Sequence, residues 1–527
     1  MYIGEKVQFE DIISYLDTFI ENIDNNKIKQ FRWFQEKALT IIKKYLYDYV
    51  TLVQSESKII IAVIVAFVIK GLENDKEIIS FYYFPVIISK GKYNIKDLLL
   101  TIDTENEQYY LYDAIDNIEY VVALDKLLEK ENIITFKSHS NLIPVKLKNI
   151  DIYNSFRLSD KSSNSLTVLR KDEIIKTYRK LAKGINPDLE LTVKLKEKGF
   201  KNTQDIRGYF LYEDTDKNQY TTAMVVEYVK NEGDMWQYTQ EYLGKILGKF
   251  KDIQCVNSFE IEKYFYDYID EIRNIALIIA DMHVKLSQIE EEDFSKIDPT
   301  SEDIKEILDR IRSNFNILMN YTVSSNFSET INELIKDIAF YNEFFNSDIY
   351  AILDLYSDLG KYIRCHADLH LEQILKTENN YIIIDFEGEP TKSINTRRKK
   401  MSPLKDVAGM VRSFNYAAYA AYFAYIKEHK QTENEDIERI LIQWSKSVTD
   451  VFLETYKSFV QKQAPDILPN EDNFNRVLAL FKLEKALFEA LYEVNNRPAW
   501  FKIPLKGIIE CIDDIKFNKE RAEVNHG

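Results

Sequence analysis

A carboxylate, an amide and a second carboxylate at fixed spacing carry the chemistry that this 527-residue chain could do. The stretch Tyr362 to Pro390 reads YIRCHADLHLEQILKTENNYIIIDFEGEP, with Asp368 in a polar loop between His366 and His370. Gln373 follows five residues after Asp368. Beyond the polar turn Thr377 to Asn380, the apolar run Tyr381 to Ile384 ends on Asp385 and Phe386, with Glu387 and Glu389 just behind. An extended hydrophobic run that delivers a carboxylate at its end is how a scaffold aims an acid at a bound metal. The set meets the needs of phosphoryl transfer: Asp368 to accept a hydroxyl proton, Gln373 and Asp385 to hold a Mg²⁺ that bridges phosphate oxygens. The bland alternative is a hairpin with surface carboxylates, and the joint spacing favours phosphotransfer over it.

The corresponding loop of protein kinases is H-R-D-x-x-x-x-N followed by D-F-G. Here it reads H-A-D-L-H-L-E-Q followed by D-F-E, with the spacing kept and three letters changed. Those letters point away from protein kinases and toward the small-molecule branch of the kinase-like fold. Such an enzyme needs a strand lysine for phosphate oxygens and a helix carboxylate to hold that lysine. Lys176, in the strand expected over Glu173 to Tyr178, is the candidate, with Lys171 and Lys180 as competitors. Glu190, on a helix signalled by Pro187, is placed to be its carboxylate. No G-x-G-x-x-G precedes the lysine, so cradling of phosphates falls to the turn Asp160 to Ser165. Thr221 to Val229 reads as a buried strand running into a linker, where backbone groups around Glu227 and Val229 would bond an adenine.

The elements that position these residues fall into three expected parts. Residues 1–110 form an N-terminal α+β cap, with a helix over Phe9 to Ile20, the segment FRWF, and strands over Tyr45 to Val53, Ile59 to Ile69 and Ile78 to Ile88. Trp33 reads as a core aromatic. Residues 111–230 add a helix over Ile118 to Lys130 and short strands, completing a nucleotide-binding lobe. Residues 231–527 are mainly helical: Ile275 to Leu286 with a core His283, an outer helix over Asp303 to Glu343, a helix started by Ser402-Pro403 over Leu404 to Ile426, and another over Phe474 to Tyr492. The alanine–tyrosine face of AAYAAYFAY reads as close helix packing.

Composition narrows the class. Hydrophobic residues make up 45% and charged residues 29%, enough for sizeable cores in two or three domains. A net charge of −16 argues against a nucleic-acid partner, and the basic cluster Arg397 to Lys400 is too short for a polyanion track. The three cysteines (Cys255, Cys365 and Cys511) lie far apart, suggesting reduced thiols and a cytoplasmic protein. Met1 to Asp11 carries acids and no apolar core, so no signal peptide is expected. The longest apolar run, Ile59 to Ile69, is too short to span a bilayer, so no membrane partner is expected.

HADLHLEQIL, IIIDFEGEP, RRKKMSPLKDVAGMVRSFNYAA and YEVNNRPAWFKIPLKGI together resemble bacterial maltokinases, including the kinase half of trehalose synthase–maltokinase fusions. FRWF, IIKTYRKLAKGINPDLE, VVEYV and NEGDMW fall in that family's order, so the likeness spans most of the chain and is looser in the first hundred residues. It implies a bilobal, protein-kinase-like and aminoglycoside-phosphotransferase-like α+β fold with an N-terminal cap. It also implies ATP- and Mg²⁺-dependent phosphorylation of maltose to maltose 1-phosphate, within carbohydrate metabolism and glycogen biosynthesis. By residue, it implies Asp368 as base, Gln373 and Asp385 as metal ligands, and Lys176 with Glu190 at the phosphates. Asp234, Glu493, Arg497 and Trp500 become candidates for the sugar pocket, where carboxylates and Arg bond hydroxyls and an aromatic ring stacks on the sugar. Ala367 stands where the family usually has Gly, and Met235 where GDGW is usual. The alternatives are glucosamine or another sugar as acceptor, or a non-catalytic partner of a sugar enzyme such as trehalose synthase.

Overall fold

The computed structural model describes the chain except residues 4–8, 72–76, 93–96, 149–155, 160–164, 171–172, 250–262, 324–325, 353–358, 390–391, 432 and 526–527. Residues 160–164 of the turn expected to cradle phosphates (Asp160 to Ser165), Lys171 and Cys255 therefore lie outside the described residues. The chain divides into two compact units, Met1–Val193 with Gln204–Val229, and Lys194–Thr203 with Lys230–Gly527.

In the first unit, β1 (Thr40–Gln54) and β2 (Lys58–Lys70) form a long antiparallel hairpin. The near-continuous apolar run of β2 follows from burial of both its faces. Ile59, Ile61, Val63, Val65 and Phe67 enter a core with α1 (Leu16–Asn22), α2 (Asn25–Gln30) and Trp33. Ile60, Ala62 and Ile64 enter a second core with α3 (Ile118–Lys130). The helix expected over Phe9 to Ile20 starts as a 3₁₀ segment, Phe9–Tyr15, before α1. The single strand expected over Ile78 to Ile88 is two, β3 (Glu77–Tyr83) and β4 (Val86–Ser89), which continue along one edge of β2. Pro85 lies at the break, where it has no N–H to give the ladder. The first sheet is completed by β5 (Leu98–Asp103) and β6 (Gln108–Asp113).

The helix α3 matches its expected limits. Asn117 accepts from the Glu119 and Tyr120 amides to cap it, and Tyr120, Val121, Leu124 and Leu128 form its buried stripe. The second sheet comprises β7 (Ile134–Thr135), β8 (Asn141–Lys146), β9 (Phe156–Ser159), β10 (Ser165–Arg170) and β11 (Glu173–Thr177), with β13 (Ile206–Glu213) and β14 (Gln219–Glu227). Its order is β7-β8-β13-β14-β11-β10-β9, which puts the Lys176 strand in the interior beside β14. The short strand β12 (Lys180–Leu181) returns to pair with β3. Trp33 is a core aromatic as expected, and the guanidinium of Arg179 lies 5.0 Å from its ring while binding Asp113 through two bonds. The helix α4 (Pro187–Glu197) crosses the division between the units.

The second unit is helical: α5 (Met235–Lys249), α6 (Tyr266–Ser287), α7 (Ser301–Val323), α8 (Glu329–Phe340), α9 (Asn342–Asn346), α10 (Ile394–Arg397), α11 (Leu404–Glu428), α12 (Glu435–Gln463), α13 (Glu471–Asn496) and α14 (Lys502–Asn525). The one outer helix expected over Asp303 to Glu343 is divided into α7, α8 and α9. The alanine–tyrosine stretch of α11 is buried, and α11 packs on α5, α12 and α13, so small residues there admit close helix approach. A two-stranded hairpin, β15 (Ile374–Lys376) with β16 (Tyr381–Ile383), carries the motif. No described helix is long and apolar enough to cross a membrane.

Candidate functional site

The loop bearing Asp368 is held from below by α11. Asp406, 1% exposed, accepts the amide of His366 on Oδ2 (2.9 Å) and that of Ala367 on Oδ1 (2.8 Å). Its Oδ2 also accepts from His283 Nε2 at 3.1 Å, and His283 Nδ1 accepts the Tyr456 hydroxyl at 2.8 Å. Burial pushes the Asp406 carboxyl up, but the bond from His283 and the amide of Ala367 help to hold it below its ordinary value. His283 is the satisfied core histidine that the sequence suggested, and its bonds reach the loop through Asp406. Three residues along α11, Gly409 gives the loop its room: a Cβ there would stand 2.4 Å from the Leu369 carbonyl oxygen. Ala367 has φ +68°, a left-handed backbone that alanine adopts at a cost of order 1 kcal/mol or more and that glycine adopts freely.

The hairpin brings the second carboxylate to the loop. His366 Nε2 donates to the Ile384 carbonyl at 2.9 Å, and its ring lies 4.9 Å from that of Phe386. Asp385 has φ +66°, so the chain turns back as it leaves β16. Gln373 Nε2 lies 3.3 Å from Asp385 Oδ2, which brings together the two side chains read from the sequence as metal ligands. One amide oxygen and one carboxylate are hard donors of the kind Mg²⁺ takes alongside phosphate and water, so the residues fit that ion.

Asp368 faces a cavity of about 230 Å³ that α7, α11 and α13 help to wall, lined also by Arg310, Lys405, Phe481, Glu484, Lys485 and Phe488. Lys485 Nζ stands 3.1 Å from Asp368 Oδ1. Burial pushes the Asp368 carboxyl up, but the Lys485 ammonium and the His370 charge outweigh it and leave it below its usual value. Glu484 behaves alike: burial pushes it up, and Lys405 and Arg310 bring it to about 2. Arg310 Nε lies 2.7 Å from Glu484, and Lys392 Nζ is 2.5 Å from Glu389, another residue of the cavity wall. Each of the cavity's three carboxylates, Asp368, Glu389 and Glu484, thus has a cation in contact.

In the first unit, Lys176 Nζ bonds Asp188 Oδ2 at 2.6 Å, both groups buried, and the Tyr178 hydroxyl donates to the same oxygen at 2.8 Å. Asn186 accepts the Asp188 amide at 2.9 Å ahead of Pro187, so NPD is a capped helix start that fixes the acid. Glu190, expected in that role, lies two residues further along the same helix. Lys180 is engaged elsewhere, 2.6 Å from Glu36. The Glu227 amide donates to the Asp205 carbonyl (2.8 Å), and its own carbonyl accepts from Gln204 Nε2 (2.7 Å). Val229 closes the unit at its border with Lys230.

Of the four sugar-pocket candidates, Glu493, Arg497 and Trp500 lie together at the end of α13 and Asp234 lies at the start of α5. Asp234 caps α5 by accepting the Gln237 amide at 2.8 Å and bridges to Leu375 of the hairpin. Glu493 and Arg497 form a two-bond ion pair (2.9 and 2.6 Å) at the end of α13, and the Arg497 guanidinium lies 4.5 Å from the Trp500 ring centre. Lys485, Asp406 and Asp188 were not singled out by the sequence reasoning. For Asp188 the signal was present in NPDLE, and for Asp406 in its position at the start of α11. For Lys485, 117 residues from Asp368, no local pattern exists.

No protein-family model matches the chain. Over 159 residues it is 25% identical to the glucosamine kinase of Streptacidiphilus jiangxiensis, covering 30% of this chain and 33% of that one. Over 169 residues it is 22% identical to the glucosamine kinase of Mycolicibacterium smegmatis, covering 32% and 39%. The chain thus spans between a third and two fifths of the length of these curated relatives. A solved glucosamine kinase in complex with glucosamine, ADP and inorganic phosphate superposes with a TM-score of 0.62 at 14% identity, over 94% of this chain and 98% of its own. The fold is the kinase-like α+β fold.

Proposed function

We propose that this protein is an ATP-dependent sugar kinase in which Asp368 accepts the proton of an acceptor hydroxyl. The observation that carries this reading is the Asp368 carboxylate, set on a loop held by Asp406 and facing a cavity, with Gln373 and Asp385 brought together on the hairpin that follows the loop. Asp368 would orient the hydroxyl and take its proton as phosphorus–oxygen bond formation proceeds. Gln373 and Asp385 would hold Mg²⁺, which when bound supplies charge neutralisation at the phosphates. Lys176, held by Asp188, would bind phosphate oxygens, and the backbone around Glu227 and Val229 would meet the adenine.

The acceptor we propose is a neutral sugar, maltose, giving maltose 1-phosphate. Support comes from the charge pairing in the cavity, where a cationic amine would have to break an existing ion pair to find a carboxylate. Arg497 and Trp500 would bind hydroxyls and the apolar sugar face, and trehalose synthase is the partner this reading suggests. The second reading, glucosamine as acceptor, is favoured by the likeness to two glucosamine kinases. An ADP-release assay across maltose, glucosamine, glucose and trehalose separates them. We expect the highest kcat/KM with maltose; glucosamine ahead of maltose would overturn the acceptor while leaving phosphotransfer in place, and no turnover with any sugar would overturn the kinase reading.

A further inference from the structure

We propose that Lys485 is a positioning residue for Asp368, its ammonium fixing the direction of the carboxylate and balancing its charge at the mouth of the acceptor cavity. The proposal rests on the phosphotransfer reading of that cavity and adds to it a residue from a distant helix.

The loop's own supports act on backbone: Asp406 holds the amides of His366 and Ala367, and Gly409 admits the Leu369 carbonyl. None of these fixes the side-chain torsions of Asp368. The bond that does so is the 3.1 Å contact from Lys485 Nζ to Oδ1. The two side chains keep 33% and 26% of their surface exposed, so the pair is open to the cavity on one side and packed on the other.

The helix that delivers Lys485 is itself pinned on both sides of it. One residue earlier, Glu484 is bound by Arg310 of α7 at 2.7 Å. One turn later, Glu489 accepts Arg412 of α11 through Nε (2.9 Å) and Nη2 (2.7 Å). Gly507 of α14 gives that guanidinium its space, since a Cβ there would stand 2.1 Å from Arg412 Nη1. Two ion pairs to two neighbouring helices thus bracket Lys485 and restrict α13 to one rotation about its axis. An ammonium on so fixed a stem can set a carboxylate to within the few tenths of an ångström that proton transfer needs. The groups facing Lys485 are Asp368, Glu489 and Glu389; those facing Asp368 are Lys485, His370 and His366.

The test is a double-mutant cycle on the full chain, with ATP and the best acceptor from the sugar panel. Lys485→Met is expected to lower kcat on the order of 10²-fold, the cost of a misplaced reacting group, with the KM for ATP within about twofold. Lys485→Arg, which keeps the charge, is expected to recover about tenfold of that loss. In an Asp368→Asn background, Lys485→Met should cost nothing further, because the group it acts through is gone. Lys485→Gln serves as the second removal variant, and thermal melts verify that each variant is folded. A Lys485→Met or Lys485→Gln enzyme with native kcat would overturn the proposal, as would an equal loss in the Asp368→Asn background. Both results leave the phosphotransfer reading intact. A wild-type protein that transfers phosphate to no acceptor would overturn both together.

Discussion

At the scale of single residues, the site is a set of charges whose ionisation is fixed by near neighbours. Gln373 and Asp385 touch, and Asp385 is the one with a full negative charge to give a Mg²⁺. Asp385→Asn is therefore expected to keep sugar binding and lose turnover by two or more orders of magnitude, read as kcat at saturating Mg²⁺ against calorimetric sugar affinity; near-native kcat would displace Asp385 from the metal role. Glu484 gives a pH test. Its folded pKa, about 2, lies below its ordinary 4.5, so its contribution is complete above about 4.5 and is lost as pH falls toward 2. Glu484→Gln should flatten the acid limb of the stability curve in that window, by up to about 3 kcal/mol at its lower end, and denaturant melts from pH 6 to 2.5 read it. An unchanged slope would mean Arg310 and Lys405 do not hold the charge. Much of this scale was legible in the sequence: Asp368, Gln373 and Asp385 lie within 18 residues, so their spacing alone states the chemistry. Asp188 was passed over beside Glu190 because two acids share one helix start, and its bond to Lys176 depends on where the strand lies.

At the scale of elements, the Asp368 loop depends on one helix, α11, for both a carboxylate and a gap. Gly409→Ala puts a methyl 2.4 Å from the Leu369 carbonyl oxygen, so the loop or the helix must shift. The expected result is a drop in kcat of at least tenfold with a Tm several degrees lower, since backbone contact leaves no flexible side chain to yield. A Gly409→Ala protein with native kcat and Tm would mean the loop is free to move away at little cost. The apolar run of β2 announced a buried strand in the sequence, and its two faces enter two different cores. Helix α3 was legible to the residue because Asn117 caps it. The split of the Ile78 to Ile88 strand at Pro85 was also written in the sequence, as a residue without an amide hydrogen. The division of Asp303 to Glu343 was also marked there, by the polar cluster Ser324 to Ser328 that the single-helix reading ran across. Lys485 belongs to this scale too: α13 was expected, but which of its residues meets the loop depends on how α7, α11 and α14 clamp it.

At the scale of the whole molecule, each of the two units holds its own set of candidate residues. The first holds Lys176 on an interior strand with Asp188; the second holds the loop, the hairpin and the cavity that Asp368 lines. The likeness at TM-score 0.62 over 94% of the chain extends across both, so the fold reading does not depend on the motif alone. Net charge −16, with three paired carboxylates in the cavity, suits a small neutral acceptor better than a polyanion. The account turns on whether Asp368 drives phosphate onto a sugar hydroxyl. The measurement that tests this most directly is ³¹P NMR of the reaction of wild type and Asp368→Asn with ATP, Mg²⁺ and maltose. The account predicts that wild type forms ADP and a sugar phosphate ester together, and that Asp368→Asn forms the ester at least about 10²-fold more slowly while still binding ATP. An ester made by Asp368→Asn at the wild-type rate, or ADP from the wild type with no ester from any sugar, would contradict it.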